Sequence, residues 1–273
     1  MIFYKVLSNR MKSLKKLNNI AILIPAYNEE KYIGQVIKNC ALYKLDIIIV
    51  DDGSIDQTAK TVKQLQQSGK YRLIFLQHSK NKGKGAALGT GFKYTVKNNY
   101  QGVITLDADA QHNTKEIEYF LQMVKKEKPD LIIGSRFQNT KGMPFIRLAT
   151  NYFTSWIISA LAGKKVEDVQ SGFRYISTKV IKNIELKTKH FETEPELILK
   201  ACWLNYQVKN VPISTIYYED FVSQVNKLTD TLKFFRLVAK SLVWRKKMRL
   251  WFLSSGSKTS LWTLFFRSSF VDD

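Results

Sequence analysis

Acidic side chains follow three short apolar segments in the first half of the chain. The segments with their acids are IPAYNEE (24–30), VDDGSIDQ (50–57) and LDADAQH (106–112). If each segment is a strand of a parallel sheet, the acids meet at the carboxyl edge of that sheet, where ligands bind in such folds. Carboxylates gathered in this way repel one another unless cations or hydrogen-bond donors compensate their charge. We therefore predict that this edge binds a cation.

The acids of the third segment have a spacing suited to metal ligands. Asp107, Asp109 and the amide oxygen of Gln111 offer the hard oxygen atoms that Mg²⁺ or Mn²⁺ prefers. A diphosphate would complete the coordination shell, and the metal would offset negative charge on a departing diphosphate. His112 is an alternative ligand, although a structural or acceptor-side position is favoured for it. For Asp56, a turn or helix-cap role is an equally good explanation.

The segments that position these acids alternate between strand and helix patterns. Short apolar runs rich in β-branched residues predict buried strands at 20–25, 46–50, 72–77, 102–106 and 130–134. Helical patterns lie between them at 30–42, 56–67, 85–97 and 114–126. This alternation predicts an α/β fold with a doubly wound sheet. In the second half we predict helices at 145–162 and 194–204, extended segments at 208–213 and 216–218, and a basic helix after about residue 228.

Composition limits the classes of protein that fit. The 273 residues carry a net charge of +20, which points to a polyanionic partner such as nucleic acid, an anionic membrane or a phosphorylated ligand. An apolar fraction of 45% excludes disorder as the main state. Cys40 and Cys202 lack metal-ligand spacing and indicate buried thiols in the cytosol. We identify no signal peptide and no apolar run long enough to span a bilayer.

Seven motifs together resemble family 2 of the inverting glycosyltransferases, which have the GT-A fold. Beyond the three acidic segments they are IIGSRF (132–137), DVQSGFR (168–174), FETEPELILKA (191–201) and VPISTIYYE (211–219). The resemblance covers roughly residues 20 to 240 and is most marked with the polyprenyl-phosphate (dolichol-phosphate) mannose synthase group. It implies a mixed sheet flanked by helices and transfer of a hexose from GDP-mannose or a UDP-sugar to a polyprenyl-phosphate-type lipid. The segments before Ile20 and after about residue 250 fit no part of the pattern.

The resemblance also implies roles for individual residues. Those expected to bind the nucleotide are Pro25, Tyr27 and Glu29 at the base and ribose, Asp52 at the base, and Asp107 and Lys227 at the diphosphate. Those expected to bind the metal are Asp107, Asp109 and Gln111. Those expected to take part in catalysis are Asp109, Arg136, Asp168, Arg174 and Glu194, with Arg136 near a donor or acceptor phosphate and Arg174 on the acceptor side.

The glycine-rich stretch NKGKGAALGTG (81–91) resembles a phosphate-binding P-loop but has the wrong spacing, and no Ser or Thr follows its Gly-Lys pair. Two interpretations remain open for it. The stretch either begins a helix whose free N–H groups lie near the nucleotide, or permits a tight structural contact between a helix and the sheet.

The residues alone leave the acceptor open between two classes. A hydroxyl acceptor, as in synthesis of a cell-surface polysaccharide or glycolipid, needs a carboxylate base, for which Asp168, Glu192 and Glu194 are candidates. A phosphate acceptor is already anionic and needs cations such as Arg136, Arg174 and Lys227. The family resemblance favours the lipid phosphate. A non-enzymatic nucleic-acid-binding protein is a remote alternative, because it would have no use for acids at the strand ends.

The C-terminal helix suggests where the protein is located. Lys233, Arg236 and Lys240 share one helical face, apolar residues fill the rest, and no acid occurs from 232 to 253. This pattern is typical of an interfacial helix on an anionic membrane, although packing on the main domain would also explain it. We therefore predict a basic extension (1–19), a GT-A catalytic domain (20–227) and a helical segment (228–273). The protein would be cytoplasmic and peripheral at the inner face of the membrane.

Overall fold

One mixed sheet of seven strands forms the centre of the molecule. The computed structural model describes residues 19–140, 142–216 and 227–255, and within the last range the side chains of 231–245. The strands are β1 (Ile20–Ala26), β2 (Asp46–Asp51), β3 (Leu73–Gln77), β4 (Gly102–Thr105), β5 (Leu131–Ser135), β6 (Arg174–Ser177) and β7 (Val208–Pro212). Their order across the sheet is β3-β2-β1-β4-β6-β5-β7. Only β6, among these strands, runs antiparallel to its neighbours, β4 and β5.

Eight α-helices accompany these strands in the described part of the chain. They are α1 (Ile33–Ala41), α2 (Thr58–Gln67), α3 (Lys84–Lys97), α4 (Ile117–Glu127), α5 (Phe145–Ala162), α6 (Thr178–Asn183), α7 (Thr193–Trp203) and α8 (Lys227–Ser255). A 3₁₀ turn, Thr114–Glu116, leads into α4. The predicted strands and helices are confirmed to within a few residues. Two elements, β6 and α6, were not predicted, and the extended segment 216–218 lies mostly outside the described residues.

Two apolar layers enclose the sheet. Every residue of β1 is buried, and its alternating side chains enter opposite layers, as the period of a strand requires. Ile22 and Ile24 pack with α1, α2 and α4 in one layer, whereas Leu23 packs with α3, α5 and α7 in the other. Burial of one such side chain contributes about 1.5–3 kcal/mol. This double coverage explains why the strands are apolar on both faces.

The antiparallel strand β6 determines where Arg174 lies. Thr105, the last residue of β4, pairs with Arg174, the first residue of β6. Because β6 runs in the opposite direction to β4, its beginning lies at the carboxyl edge where the loop with Asp107 starts. Sequence patterns miss β6 because it begins with an arginine and lacks a run of β-branched apolar residues.

Helix α8 packs against α7. Leu237 and Ser241 are buried, and Lys200 of α7 places its ammonium 4.8 Å from the ring centroid of Trp244. These contacts fit the packing interpretation for one face of this helix, and its role stays a prediction. None of the described helices combines the length and apolarity that crossing a bilayer requires. The predicted N-terminal extension, apart from Asn19, and residues 256–273 lie outside the described residues, so the division into domains stays a prediction.

Candidate active site

The loops that follow β1 and β2 are joined by reciprocal hydrogen bonds. The Asn28 amide N–H donates to Ser54 Oγ at 2.9 Å, and the Ile55 N–H donates to Asn28 Oδ1 at 3.0 Å. Glu29 N–H donates to Thr58 Oγ1 at the start of α2. These hydrogen bonds hold the backbone of the loop after β1. Three predicted nucleotide-binding residues, Pro25, Tyr27 and Glu29, lie on β1 and this loop.

Asp56 takes part in the same hydrogen-bond network. Its Oδ1 accepts a hydrogen bond from Thr58 N–H at 2.9 Å, and its Oδ2 accepts one from Glu30 N–H at 3.1 Å. Because one carboxylate serves both its own helix start and the neighbouring loop, the structural interpretation of Asp56 is confirmed.

Asp52 holds the loop that leads into α3. Its buried carboxylate accepts hydrogen bonds from Lys82 N–H at 3.0 Å and Gly83 N–H at 2.7 Å. It also lies 2.6 Å from His78 Nδ1, while the other ring nitrogen of His78 lies 2.8 Å from Thr90 Oγ1. The structure thus places Asp52 as the anchor of residues 78–83, and its contact with a nucleotide base stays a prediction.

The two aspartates after β4 lie in different surroundings. Asp107 Oδ1 is 2.7 Å from Lys84 Nζ, and Asp107 Oδ2 is 3.3 Å from His112 Nε2. Asp109 Oδ1 accepts a hydrogen bond from Gln111 N–H at 3.0 Å. His112 is buried against Phe173, so its position fits the structural interpretation given to it.

The charges around these aspartates are only partly compensated. Burial would raise the pKa of Asp107, but Lys84 and His112 outweigh it and hold this pKa well below its usual range. Burial and the nearby charge of Asp107 raise the pKa of Asp109. Burial, Asp109 and Asp107 likewise raise the pKa of Glu29 to about 8. Burial and the neighbouring acids therefore oppose ionisation of Asp109 and Glu29, and a bound cation would offset this effect.

The residues at this edge fit a hard divalent cation. Asp107 and Asp109 contribute carboxylate oxygens, and Gln111 is buried with its Nε2 atom lacking a hydrogen-bond partner. The oxygen and nitrogen of a side-chain amide are assigned by their partners, so Gln111 can equally turn its oxygen to this position. Across 19–140, 142–216 and 227–255, no three His, Cys, Asp or Glu side chains form a metal site by themselves. A metal here would need further oxygen ligands from its substrate, as the sequence predicts.

Lys84 is a residue of the site that the sequence analysis did not identify. Its ammonium lies between Asp107, at 2.7 Å, and Glu194 Oε1 of α7, at 3.2 Å. Burial would lower the pKa of Lys84, but these two acids outweigh it and raise this pKa. A weak signal was present in the sequence, because a lysine in the first turn of a helix is disfavoured by the helix dipole unless an acid compensates it.

Arg174 and Glu194 complete a network around Lys84. Arg174 Nη1 is 3.9 Å from Glu194 Oε1, and Arg174 Nη2 donates to the carbonyl of Val169 at 2.7 Å. The Nε atom of Arg174 is buried and has no hydrogen-bond partner. A guanidinium so weakly paired retains the capacity to bind a further anion.

Arg136 and Asp168 form a separate and closed pair. Arg136 Nε and Nη2 donate to the two carboxylate oxygens of Asp168 at 2.6 and 2.5 Å, and Arg136 N–H donates to the same carboxylate at 2.9 Å. Asp168 is fully buried and has a positive φ of 47°. A carboxylate in this geometry orients Arg136, and the general-base role of Asp168 stays a prediction.

Two other residues predicted for the site are Lys227 and Glu192. Lys227 begins α8, but its side chain is outside the described residues. Glu192 precedes α7, and its Oε2 atom is buried without a hydrogen-bond partner.

The glycine-rich stretch packs tightly at several of its glycines. A Cβ atom on Gly85 would lie 1.9 Å from Thr193 Oγ1, and one on Gly91 would lie 2.2 Å from Leu23 Cδ1 of β1. The tight-packing interpretation is therefore confirmed for these glycines. The same stretch begins α3 at Lys84, beside the acids, and a nucleotide near its N–H groups stays a prediction.

Comparison with known proteins agrees with this geometry. Residues 21–185 match the family described as Glycosyl transferase family 2. The UDP-N-acetylglucosamine–dolichyl-phosphate N-acetylglucosaminyltransferase of Methanococcus voltae is 36% identical over 217 residues, covering 73% of this chain and 86% of that protein. The polyprenol monophosphomannose synthase of Mycolicibacterium smegmatis is 27% identical, covering 75% of this chain and 80% of that protein.

A solved structure extends the comparison to the fold. Glucosyl-3-phosphoglycerate synthase from Mycobacterium tuberculosis, in complex with Mn²⁺, UDP and phosphoglyceric acid, superposes with a TM-score of 0.62 at 17% identity, covering 85% of this chain and 80% of that one. The seven-stranded sheet and its helices are therefore a GT-A fold. Since the family match includes more than half of the sequence, this chain belongs to glycosyltransferase family 2 and is a glycosyltransferase.

Proposed function

We propose that this glycosyltransferase moves a hexose from a nucleotide diphosphate sugar, a UDP-sugar or GDP-mannose, to the phosphate group of a polyprenyl-type lipid. The observation that carries the acceptor assignment is the pairing of the candidate bases. Asp168 is committed to Arg136, and Glu194 is shared between Lys84 and Arg174. Two of the three candidate bases are thus paired with cations, and only Glu192 is not. A phosphate acceptor needs such cations, whereas a hydroxyl acceptor needs a base.

The reaction would be one in-line displacement with inversion at the anomeric carbon. An oxygen of the acceptor phosphate forms a bond to that carbon while the bond to the β-phosphate oxygen of the donor breaks, and the nucleoside diphosphate leaves with the electron pair. Asp107, Asp109 and Gln111 would hold Mg²⁺ or Mn²⁺, which when bound supplies Lewis-acid stabilisation of the diphosphate. Arg174, with its unpaired Nε, would orient the acceptor phosphate. Arg136 is already paired with Asp168, so its expected contact with a phosphate stays a prediction.

The relatives support a lipid acceptor and a metal. Two of them are named for transfer to dolichyl phosphate or polyprenol monophosphate, and the solved neighbour contains Mn²⁺ with UDP. The alternative is transfer to a sugar hydroxyl. Glu192 favours that alternative, because its buried Oε2 atom has no partner and could serve as a base.

A panel of nucleotide sugars with Mn²⁺ tests the proposal. Each donor is offered with polyprenyl phosphate and, separately, with sugar acceptors that carry hydroxyl groups. We expect a lipid-linked sugar as product, and we expect Glu192→Gln to keep most of this activity. Transfer to hydroxyl acceptors alone, with a loss of 100-fold or more in Glu192→Gln, would instead establish the alternative.

The exposed faces of α8 and α5 support a position at a membrane surface. On α8, Leu232, Phe235 and Leu242 are exposed at 70%, 48% and 55%, opposite the face that packs on α7. The exposed cations Arg236 and Lys240 flank this apolar stripe. On α5, Ile158 is buried whereas Trp156 is 68% exposed. Apolar residues bordered by cations fit an anionic lipid surface, where the head group of a lipid phosphate is located.

Vesicle binding tests this position separately from catalysis. We expect the full-length protein to sediment with anionic vesicles, to be partly released by high salt, and to lose most binding when Leu232, Phe235 and Leu242 are changed to Ser. Leu42→Ser is the matched control, because Leu42 is exposed at the end of α1. If the full-length protein ignores anionic vesicles at low salt, a soluble acceptor becomes the better hypothesis.

A further inference from the structure

The ammonium of Lys84 lies on an oxygen that the proposed metal would need. Asp107 Oδ1 is 2.7 Å from Lys84 Nζ, and Asp107 is one of the expected metal ligands. The same ammonium lies 3.2 Å from Glu194 Oε1. A metal ion and the Lys84 ammonium would repel each other on the same oxygen of Asp107. Metal binding and the contact between Lys84 and Asp107 therefore oppose each other.

The backbone of Lys84 is fixed although its side chain is long. Gly83 N–H is held by Asp52 at 2.7 Å, and a Cβ atom on Gly83 would lie 2.4 Å from His190 Nδ1. Gly85 approaches Thr193 as closely. Because both neighbours are held in place, a change in the position of the ammonium must come from the flexible four-carbon stem of the side chain.

The position of Lys84 provides a second place for its charge. It is the first residue of α3, and the Ala86 N–H of this turn already donates to the carbonyls of Gly83 and Lys189. The charge of Lys84 lies at the end of a flexible four-carbon stem, so it can move to an anion that binds beside Asp107. A diphosphate held by a metal on Asp107 and Asp109 would therefore lie within the range of this side chain.

We propose that Lys84 is an internal counter-ion that occupies the cation position on Asp107 in the free protein and moves to the donor diphosphate when metal and nucleotide bind together. This inference rests on the proposed function. Its consequence is cooperative binding. A metal ion that binds alone has to displace the Lys84 ammonium from Asp107, and the ammonium gains no other anion in exchange. A metal ion that binds with a nucleoside diphosphate gives the ammonium a new anionic partner. Lys84 thus selects the metal–nucleotide complex over the metal alone.

Binding of Mn²⁺ measured by electron paramagnetic resonance, with and without UDP or GDP, tests the proposal. We expect Lys84→Met to bind Mn²⁺ alone about tenfold more tightly and the Mn²⁺–nucleotide complex about tenfold more weakly, which lowers the coupling about 100-fold. Lys84→Arg keeps the charge and should keep the wild-type coupling. Lys82→Met is the matched control, because Lys82 is an exposed lysine two positions away and loses the same charge.

The two possible failures are distinct. If Lys84→Met folds with an unchanged or weaker affinity for Mn²⁺ alone, while the wild-type protein binds the Mn²⁺–nucleotide complex, the counter-ion proposal is wrong and the proposed function stands. The proposal is also wrong if Lys82→Met changes the coupling as strongly. If the wild-type protein binds neither UDP nor GDP with Mn²⁺, the proposed function fails and this inference fails with it.

Discussion

The site contains two groups of buried charges with different geometry. The first group is Arg136 with Asp168, and the second is Lys84 with Asp107, Glu194 and Arg174. In the first group a planar guanidinium faces both oxygens of one carboxylate, and the carboxylate is fully buried. In the second group single contacts of 2.7, 3.2 and 3.9 Å join four residues, and the side chain of Asp107 is 28% exposed. The first group is closed, and the second is open to a ligand.

This difference separates residues that hold the site from residues that change partners. A bidentate pair satisfies its charges internally and fixes the orientation of the arginine. An open network leaves polar atoms without partners, as at Arg174 Nε, and tolerates rearrangement when a ligand arrives. Closed pairs should therefore matter most for stability, and open networks most for activity.

The largest expected effect is a loss of activity at Asp109, which lies beside the open group. Asp109→Ala removes an expected metal ligand, so the transfer rate should fall by roughly 10³-fold or more, because a bound metal is worth several kcal/mol of transition-state stabilisation. The fold should remain, since the burial of Asp109 raises its pKa and its charge does not stabilise the folded state. Rates with saturating Mn²⁺, together with circular dichroism, check both parts. Full wild-type activity in excess chelator would contradict the metal assignment.

The next effect is on stability at the closed pair. Asp168→Asn leaves the Arg136 guanidinium buried without its countercharge, and such a change costs about 3–5 kcal/mol of unfolding free energy. Asn tolerates the positive φ of this position, so the backbone is not the cause. Urea denaturation measures the loss. The double variant Arg136→Met, Asp168→Asn should recover part of it, and no recovery would mean that the pair is not responsible.

A smaller effect should follow a change beside Asp107. A Cβ atom on Gly172 would lie 2.5 Å from Asp107 Oδ2, so Gly172→Ala must displace this carboxylate. We expect the transfer rate to fall about tenfold, which corresponds to about 1.4 kcal/mol of activation free energy, with little change in the free energy of unfolding. Gly89→Ala is the control, because no atom lies within 4 Å of its new Cβ, and it should leave activity intact. Equal effects of both variants would remove the argument for displacement of Asp107.

The smallest expected effect is a pH dependence at Glu29. Its pKa of about 8 in the folded protein lies above its ordinary value of 4.5, so the folded state loses stability as pH rises from 4.5 to 8. Glu29→Gln removes this loss. Without divalent cations, the variant should gain about 2 °C in Tm over the wild-type protein between pH 5 and pH 9. Glu118→Gln, a half-buried control on α4, should show no such trend. A Tm difference independent of pH would show that the pKa of Glu29 is not raised in the folded protein.

Local patterns in the sequence were sufficient for much of the fold. The buried strands were predicted because β-branched apolar runs such as that of β1 have a single suitable environment, a sheet covered on both faces. The exposed and buried faces of α8 were not separable, because an apolar helix of this kind can face either protein or lipid. The strand β6 was missed, because its residues RYIS begin with an arginine and lack the β-branched apolar run of β4, which is equally short.

The sequence by itself determined that acids follow three strands and that the chain belongs among proteins that use such acids with a nucleotide sugar. Only the tertiary structure decided which charges meet. Arg136 pairs with Asp168, 32 positions away, and Lys84 of α3 meets Asp107 from the loop after β4 and Glu194 from α7. The physical reason is that strand and helix patterns depend on neighbours in sequence, whereas ion pairing depends on distances that exist only after the layers have packed.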